Sequence, residues 1–170
     1  AADIATVATA DANGTLVLNA DFGATVDAGA VNASDLNTIS GRTTATVNAS
    51  AATAINGSAA DVATALADTQ ISHDDDFNVT LTATSAAATA ITAIDAATTK
   101  VVDASLVTTL TGTAAQIAAA ATLDANGTTT LKADFGATVD AGAVNASDLN
   151  AISGRTTATI AATNATAING

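Results

Sequence analysis

The stretch Ala20-Asp-Phe-Gly-Ala-Thr-Val-Asp-Ala-Gly-Ala-Val-Asn-Ala-Ser-Asp-Leu-Asn37 occurs twice in this chain of 170 residues. It returns without a change as Ala133 to Asn150. A duplication this faithful is typical of repeat proteins, in which each copy is one supersecondary unit. The fold must therefore be one that a short, repeated segment can build.

The pattern inside this stretch predicts a strand followed by a helix. From Leu16 to Ala28, apolar residues alternate with polar or small ones, which is the two-residue period of a β-strand, with a bend expected at Gly23. Leu36 and Ile39 then have helical spacing, Ser34 is the expected N-cap, and Gly41 suits a left-handed residue after the helix. A second alternating run, from Val47 to Ile55, follows. Next come Ser58 as a cap and a helix over 59–67.

Three repeat units account for the whole chain: 1–57, 58–112 and 113–170. The segment Ile55-Asn-Gly-Ser-Ala-Ala-Asp-Val62 aligns with Leu110-Thr-Gly-Thr-Ala-Ala-Gln-Ile117. The only three aromatic residues, Phe22, Phe77 and Phe135, fall in one register, one in each unit. The middle unit is the diverged copy.

One unit of strand, helix, strand and helix cannot bury its own apolar face, whereas stacked copies can. We therefore expect an α/β repeat solenoid, strand-rich with short flanking helices. The alternative is a row of tandem β-sandwich domains, because the dipeptides at Asn13-Gly14 and Asn126-Gly127 favour tight hairpin turns.

Composition narrows the classes of partner. All 16 acidic residues are Asp, and the formal net charge is −12. This charge disfavours binding to nucleic acid or to an anionic membrane, and no apolar run is long enough to span a bilayer. With no Cys there are no disulfides and no thiolate metal sites. The first residues lack the pattern of a signal peptide, so we expect any targeting signal to lie outside this segment.

Two sets of Asp residues are candidate Ca²⁺ ligands. The first is Asp74, Asp75 and Asp76 beside His73, because hard oxygen ligands suit Ca²⁺; a solvated acidic loop is the alternative. The second includes Asp27 and its copy Asp140, whose equivalents would form carboxylate ladders in a stack. A cation, or Arg42 and Arg155, would relieve the repulsion in those ladders. Ordinary turn and cap chemistry is the alternative there. No cofactor other than Ca²⁺ is predicted.

The motif Ile55 to Val62 and its copy Leu110 to Ile117 resemble segments of very large, repetitive bacterial surface and secreted proteins. Cyanobacterial and marine examples carry similar Ala/Thr/Asp-rich arrays. The resemblance implies an extracellular location and a role in adhesion, a surface layer or a filament. It transfers no catalytic residue.

The sequence therefore predicts a structural segment of an extracellular tandem-repeat protein, forming a fibre, sheath or surface layer whose partners are further copies of itself. The alternative is an adhesin stalk or ligand-binding module stiffened by Ca²⁺, with carbohydrate or a cell surface as its target. We expect that the chain is not an enzyme. A repetitive enzyme of this kind would act on polysaccharides, and the chain has no Glu, Tyr or Trp to line a sugar-binding site.

Overall fold

The computed structural model describes all 170 residues, as six α-helices and fourteen short strands. The helices are α1 Ala2–Ala12, α2 Ala33–Ser40, α3 Ala59–Ala67, α4 Ala88–Ala97, α5 Ala114–Asn126 and α6 Ala146–Ser153. The strands are β1 Ala24–Thr25, β2 Gly29–Asn32, β3 Val47–Asn48, β4 Ala52–Asn56, β5 Ile71–Ser72, β6 Val79–Thr80, β7 Ser85–Ala87, β8 Val102–Ala104, β9 Thr109–Gly112, β10 Thr129–Leu131, β11 Gly136–Val139, β12 Gly142–Asn145, β13 Ile160–Ala161 and β14 Ala165–Asn169.

Every pairing between these strands is parallel. The strands form five small sheets, in the orders β1-β3-β5, β6-β8-β10, β7-β9-β11-β13, β2-β4 and β12-β14. One helix lies between the two members of every pair, because parallel strands need a crossover connection. The predicted α/β class with parallel strands is confirmed.

The connections between successive helices contain two, two, three, two and three strands in chain order. Two strands separate α2 from α3 and α4 from α5, whereas three separate α3 from α4 and α5 from α6. As a result, the strands directly preceding two successive helices share a sheet: β2 and β4 before α2 and α3, then β7 and β9 before α4 and α5. The first of these pairs is a two-stranded sheet, whereas the second belongs to the four-stranded sheet.

The helices pack in series, each against the previous and the next one. The first residues of α2 to α5 are all buried alanines, as are Ala8 in α1 and Ala65 in α3. A single cluster of 36 buried apolar residues runs from Ala5 to Ile152, so the core is not divided at the predicted unit boundaries. Those boundaries stay predictions, and each falls in the turn between a strand and a helix.

Both Asn-Gly dipeptides end helices, so the alternative in which they close hairpins is wrong. Gly127 follows α5 in the left-handed conformation, with φ of 78°, and its N–H donates to carbonyls of the last helical turn. Gly14 follows α1 with φ of 73°. A glycine with positive φ serves a helix end as well as a hairpin. The β-sandwich alternative, which needs antiparallel hairpins, loses its basis.

Local predictions had mixed outcomes. The helix over 59–67 is confirmed, and the Ser58 hydroxyl accepts a hydrogen bond from the N–H of Asp61 at 3.1 Å. In α2, however, the N-cap is Asn32 and not Ser34, and Gly41 is right-handed with φ of −64°. The alternating run from Leu16 to Ala28 keeps only the two-residue strand β1, because no preceding segment pairs with it.

Candidate functional site

One feature recurs in all three predicted units: a contact between a threonine and the backbone of that unit's phenylalanine. The hydroxyl of Thr43 donates to the carbonyl of Phe22 at 2.6 Å, Thr98 to Phe77 at 2.6 Å, and Thr156 to Phe135 at 2.5 Å. The separation is 21 residues in all three cases. We call these three contacts the Thr–Phe clamps.

Each clamp also uses its threonine as an acceptor. The N–H two residues later donates to the same hydroxyl, at 3.0 Å for Ala45 and 3.1 Å for Lys100 and Ala158. One hydroxyl thus satisfies a carbonyl on one segment and an N–H on the next. Backbone groups shielded from water need hydrogen-bond partners. The bond that the hydroxyl accepts orders the turn after the helix, and the bond that it donates connects this turn to the preceding strand region.

The residue after each clamp threonine adds a second tie. The backbone N–H of Thr44 donates to the carbonyl of Ala20 at 2.8 Å, that of Thr99 to Asp75 at 2.7 Å, and that of Thr157 to Ala133 at 3.2 Å. The clamp therefore recurs as a two-point contact between successive helix–strand segments. Its three copies coincide with the phenylalanine register predicted from the sequence.

An ion pair accompanies the first and third clamps. Arg42 binds the carboxylate of Asp11, 31 residues earlier, and Arg155 binds Asp124 in the same way. The other carboxylate oxygen accepts a backbone N–H, from Leu18 at 2.8 Å and from Leu131 at 2.9 Å respectively. This backbone bond and then the Arg42 guanidinium hold the pKa of Asp11 below its usual value.

These two ion pairs border matching open cavities, of about 310 Å³ beside Arg42 and about 570 Å³ beside Arg155. Each cavity is lined by the arginine, its aspartate partner and the clamp threonine. In both cavities the carboxylate is already bound by the guanidinium and by a backbone N–H. The arrangement joins the end of one helix to the loop that follows it and to the arginine after the next helix.

The diverged middle unit uses another ion pair. Ala97 stands at the aligned position of Arg42. Lys100 instead approaches Asp76 at 2.5 Å, with both side chains well exposed. Exposed pairs of this kind contribute about 0–1 kcal/mol, so the middle clamp depends mainly on its hydrogen bonds.

The predicted acidic cluster at Asp74, Asp75 and Asp76 lies on an exposed loop. His73 Nδ1 is 2.8 Å from the carbonyl oxygen of Asp74, and its ring meets the edge of Phe77 at 5.3 Å between centroids. Nowhere in the structure do three His, Cys, Asp or Glu side chains converge to hold a metal ion. The Ca²⁺ assignment gains no support from this geometry and stays a prediction.

The predicted carboxylate ladders do not form. Asp27 and Asp140 are both exposed, and the backbone N–H of Asp140 donates to the carbonyl of Gly112 at 2.9 Å. Three helices, α3 to α5, stand between α2 and its copy α6, so equivalent carboxylates are four helices apart and not on neighbouring strands. The arginines expected to neutralise the ladders bind Asp11 and Asp124 instead.

The sequence analysis identified the recurring phenylalanines but not the threonines that bind their carbonyls. The usable signal was the constant interval of 21 residues between them. No helix is long and apolar enough to cross a membrane. Comparison with protein-family models, with curated proteins and with solved structures found no match for this chain.

Proposed function

We propose that this chain is a structural, non-catalytic segment of an extracellular tandem-repeat protein that forms a fibre, sheath or surface layer. Its helix–strand segments are coils of an α/β solenoid, and its structural role is the stacking of one coil on the next. The observation that carries the proposal is the triple recurrence of the Thr–Phe clamp at one chain interval. A contact that recurs at a constant interval holds each helix–strand segment against the preceding one in the same way.

The strand connections support the same proposal. The two strands of every pair are separated by a single helix along the chain, and each helix packs on its successor. In such an array, every repeat contacts only its neighbours, and stability is the sum of repeat and interface terms. The helices form a linear series from α1 to α6, in which each of the two end helices packs on one neighbouring helix.

The extracellular location is supported by the resemblance of the Ile55 to Val62 and Leu110 to Ile117 segments to secreted bacterial repeat proteins. The net charge of −12 gives a surface that stays soluble and resists non-specific contact with anionic polymers. The three Phe and the numerous buried Ala suit thin, closely spaced layers rather than a wide core around a catalytic pocket.

A chain of two copies tests the proposal. The copies are joined by one serine between Gly170 and Ala1, because Ser58 follows Gly57 at the internal boundary. If the coils stack across the junction, the urea midpoint rises above that of the single copy, and small-angle scattering shows growth in one dimension. The matched control carries Ile168→Asp in the first copy only. If the two copies unfold independently, at the same urea midpoint as the single copy, the proposal is contradicted.

A further inference from the structure

The last coil exposes apolar side chains whose copies inside the chain are buried. Ile168 in β14 is 66% exposed, whereas its equivalents Ile55 and Leu110 are 0% exposed. Leu149 and Ile160 are likewise half-buried where their copies Leu36 and Val47 are buried. We call Leu149, Ile160, Ala162 and Ile168 the C-terminal face.

The first coil exposes the complementary set. Val7 in α1 is 43% exposed, whereas Ala120, at the same position of α5, is 0% exposed. Ile4, Leu16 and Phe22 are also more exposed than their equivalents Ile117, Thr129 and Phe135, which are buried. Helix α1 packs only on α2, while α5 packs on both α4 and α6, so the missing cover is that of a preceding helix. We call Ile4, Val7, Leu16 and Phe22 the N-terminal face.

We propose that the C-terminal face of one copy binds the N-terminal face of a second copy of this chain, head to tail. This inference rests on the proposed function, because it requires that coils of separate chains stack as coils within one chain do. The occupant of each face is shown by the chain itself: α2 is covered by α3, and α5 by α4. In the docked pair, α6 of one copy contacts α1 of the second copy in the same way that α2 contacts α3, and α4 contacts α5, within the chain.

The internal strand pairs specify the register of this contact. Leu110 is the partner of Ala137, and Val102 is the partner of Thr129. Moved to the equivalent positions, these pairs place Ile168 of one copy opposite Ala24 of the next, and Ile160 opposite Leu16. The free edges of β14 and β1 supply the backbone groups, because β14 pairs only with β12 and β1 only with β3.

A polar contact helps to select this register over a slipped one. The side-chain amide of Asn37 in α2 donates to the carbonyl of Asp61 in α3 at 3.0 Å. Asn150 is the copy of Asn37 in α6 and is exposed, and Asp3 in α1 aligns with Asp61. Asn150 of one chain therefore donates to the carbonyl of Asp3 of the next.

The symmetry and the charge of the contact have measurable consequences. A head-to-tail interface that does not close produces linear chains rather than closed dimers. Each copy carries a net charge of −12, so neighbouring copies repel at low ionic strength. Association therefore strengthens as added salt screens this repulsion.

Two variants, each with one face blocked, test the arrangement. Val7→Asp blocks the N-terminal face, and Ile168→Asp blocks the C-terminal face. We expect the wild type to grow in mass from roughly 1 μM to 1 mM in sedimentation or light scattering, while each variant alone stays at 16.1 kDa. An equimolar mixture of the two forms a dimer and stops there, because only one competent junction exists between them.

Two exposed positions outside the contact provide charge-matched controls. Val17→Asp replaces a side chain that is 87% exposed and whose copy Thr130 is also exposed, and Thr166→Asp replaces a residue whose copy Thr53 is exposed. Both controls should polymerise like the wild type. Circular dichroism and urea midpoints establish that every variant is folded, and Leu16→Asp replaces Val7→Asp if the latter is not.

Each remaining outcome overturns the inference in a distinguishable way. Blocked variants that still polymerise point to another surface, and a blocked variant that dimerises by itself shows a head-to-head contact. A mixture that stays monomeric shows that the faces are not complementary. A monomeric wild type overturns the docking of separate chains, yet the chain of two copies can still stack, so the two proposals fail separately.

The absence of native cysteine allows a direct test of register. Chains carrying Ile168→Cys are mixed with chains carrying Ala24→Cys and treated with a short thiol cross-linker. The proposed register gives the mixed cross-linked dimer in far higher yield than the slipped pair of Ile168→Cys with Ala28→Cys. Equal yields from both pairs overturn the register.

Discussion

The duplicated stretches Ala20 to Asn37 and Ala133 to Asn150 have one sequence but two environments. Phe22 is half-buried, whereas Phe135 is fully buried; Leu36 is fully buried, whereas Leu149 is half-buried. The stretch forms the two-residue strand β1 in its first copy and the four-residue strand β11 in its second. In this structure β1 pairs with β3 alone, whereas β11 pairs with both β9 and β13; conversely, α2 packs on both α1 and α3, whereas α6 packs on α5.

This comparison separates local from neighbour-dependent structure. The helices α2 and α6 begin and end at equivalent residues, so the short helix is encoded locally. Strand length and burial follow the number of neighbouring strands and helices. The same side chain can therefore contribute strongly to the free energy of unfolding in one copy and weakly in the other.

The largest expected difference is between Phe135→Ala and Phe22→Ala. Removing the fully buried Phe135 should cost about 3–5 kcal/mol of unfolding free energy. Removing Phe22, which packs on the core from one side only, should cost less than about 2 kcal/mol. Urea unfolding of dilute, monomeric protein measures both. Equal losses would show that burial does not differ between the copies.

A reversed difference is expected for the leucines. Leu36→Ala should cost about 2–5 kcal/mol, because Leu36 is fully buried and α2 is packed between α1 and α3. Leu149→Ala should cost clearly less in the single chain. In the chain of two copies, Leu149 of the first copy becomes enclosed, so its substitution there should approach the cost at Leu36. No such increase would mean that the junction does not stack.

The Thr–Phe clamps should differ more modestly. Thr43→Val removes the donor to Phe22 and the acceptor for Ala45 at a buried site, for an expected loss of about 1–3 kcal/mol. Thr156→Val removes the same bonds where water has better access, so its loss should be smaller. Thr→Ser at either site keeps the hydroxyl and serves as the control. A serine variant as unstable as the valine variant would contradict a role for the hydrogen bonds.

The smallest effect concerns pH. The lowered pKa of Asp11 means that the folded state favours its ionised form, so this contribution is fully present above the ordinary Asp pKa of about 3.9. It is lost as the pH falls through the lowered value. Asp11→Asn should therefore weaken the fall in urea midpoint between neutral and strongly acidic pH. Asp27→Asn removes an exposed carboxylate that forms no ion pair and is the charge-matched control.

Part of the fold could be predicted because short-range patterns carry it. The spacing of Leu36 and Ile39, and the cap at Ser58, identify two helices without reference to any other segment. The Asn-Gly dipeptides misled because a left-handed glycine suits a hairpin and a helix end equally. The pairing of Arg42 with Asp11 could not be predicted from either residue alone, because it depends on how α1 and the loop after α2 meet.

The sequence by itself determined the repeat, the alternation of strand and helix, and the single register of Phe22, Phe77 and Phe135, because these depend on local periodicity and on copying. Only the tertiary structure decided which strands pair, where the Thr–Phe clamps join successive segments, and that equivalent Asp residues stay apart. Those features depend on contacts between neighbouring segments, and the same stretch of sequence acquires them only where a neighbour is present.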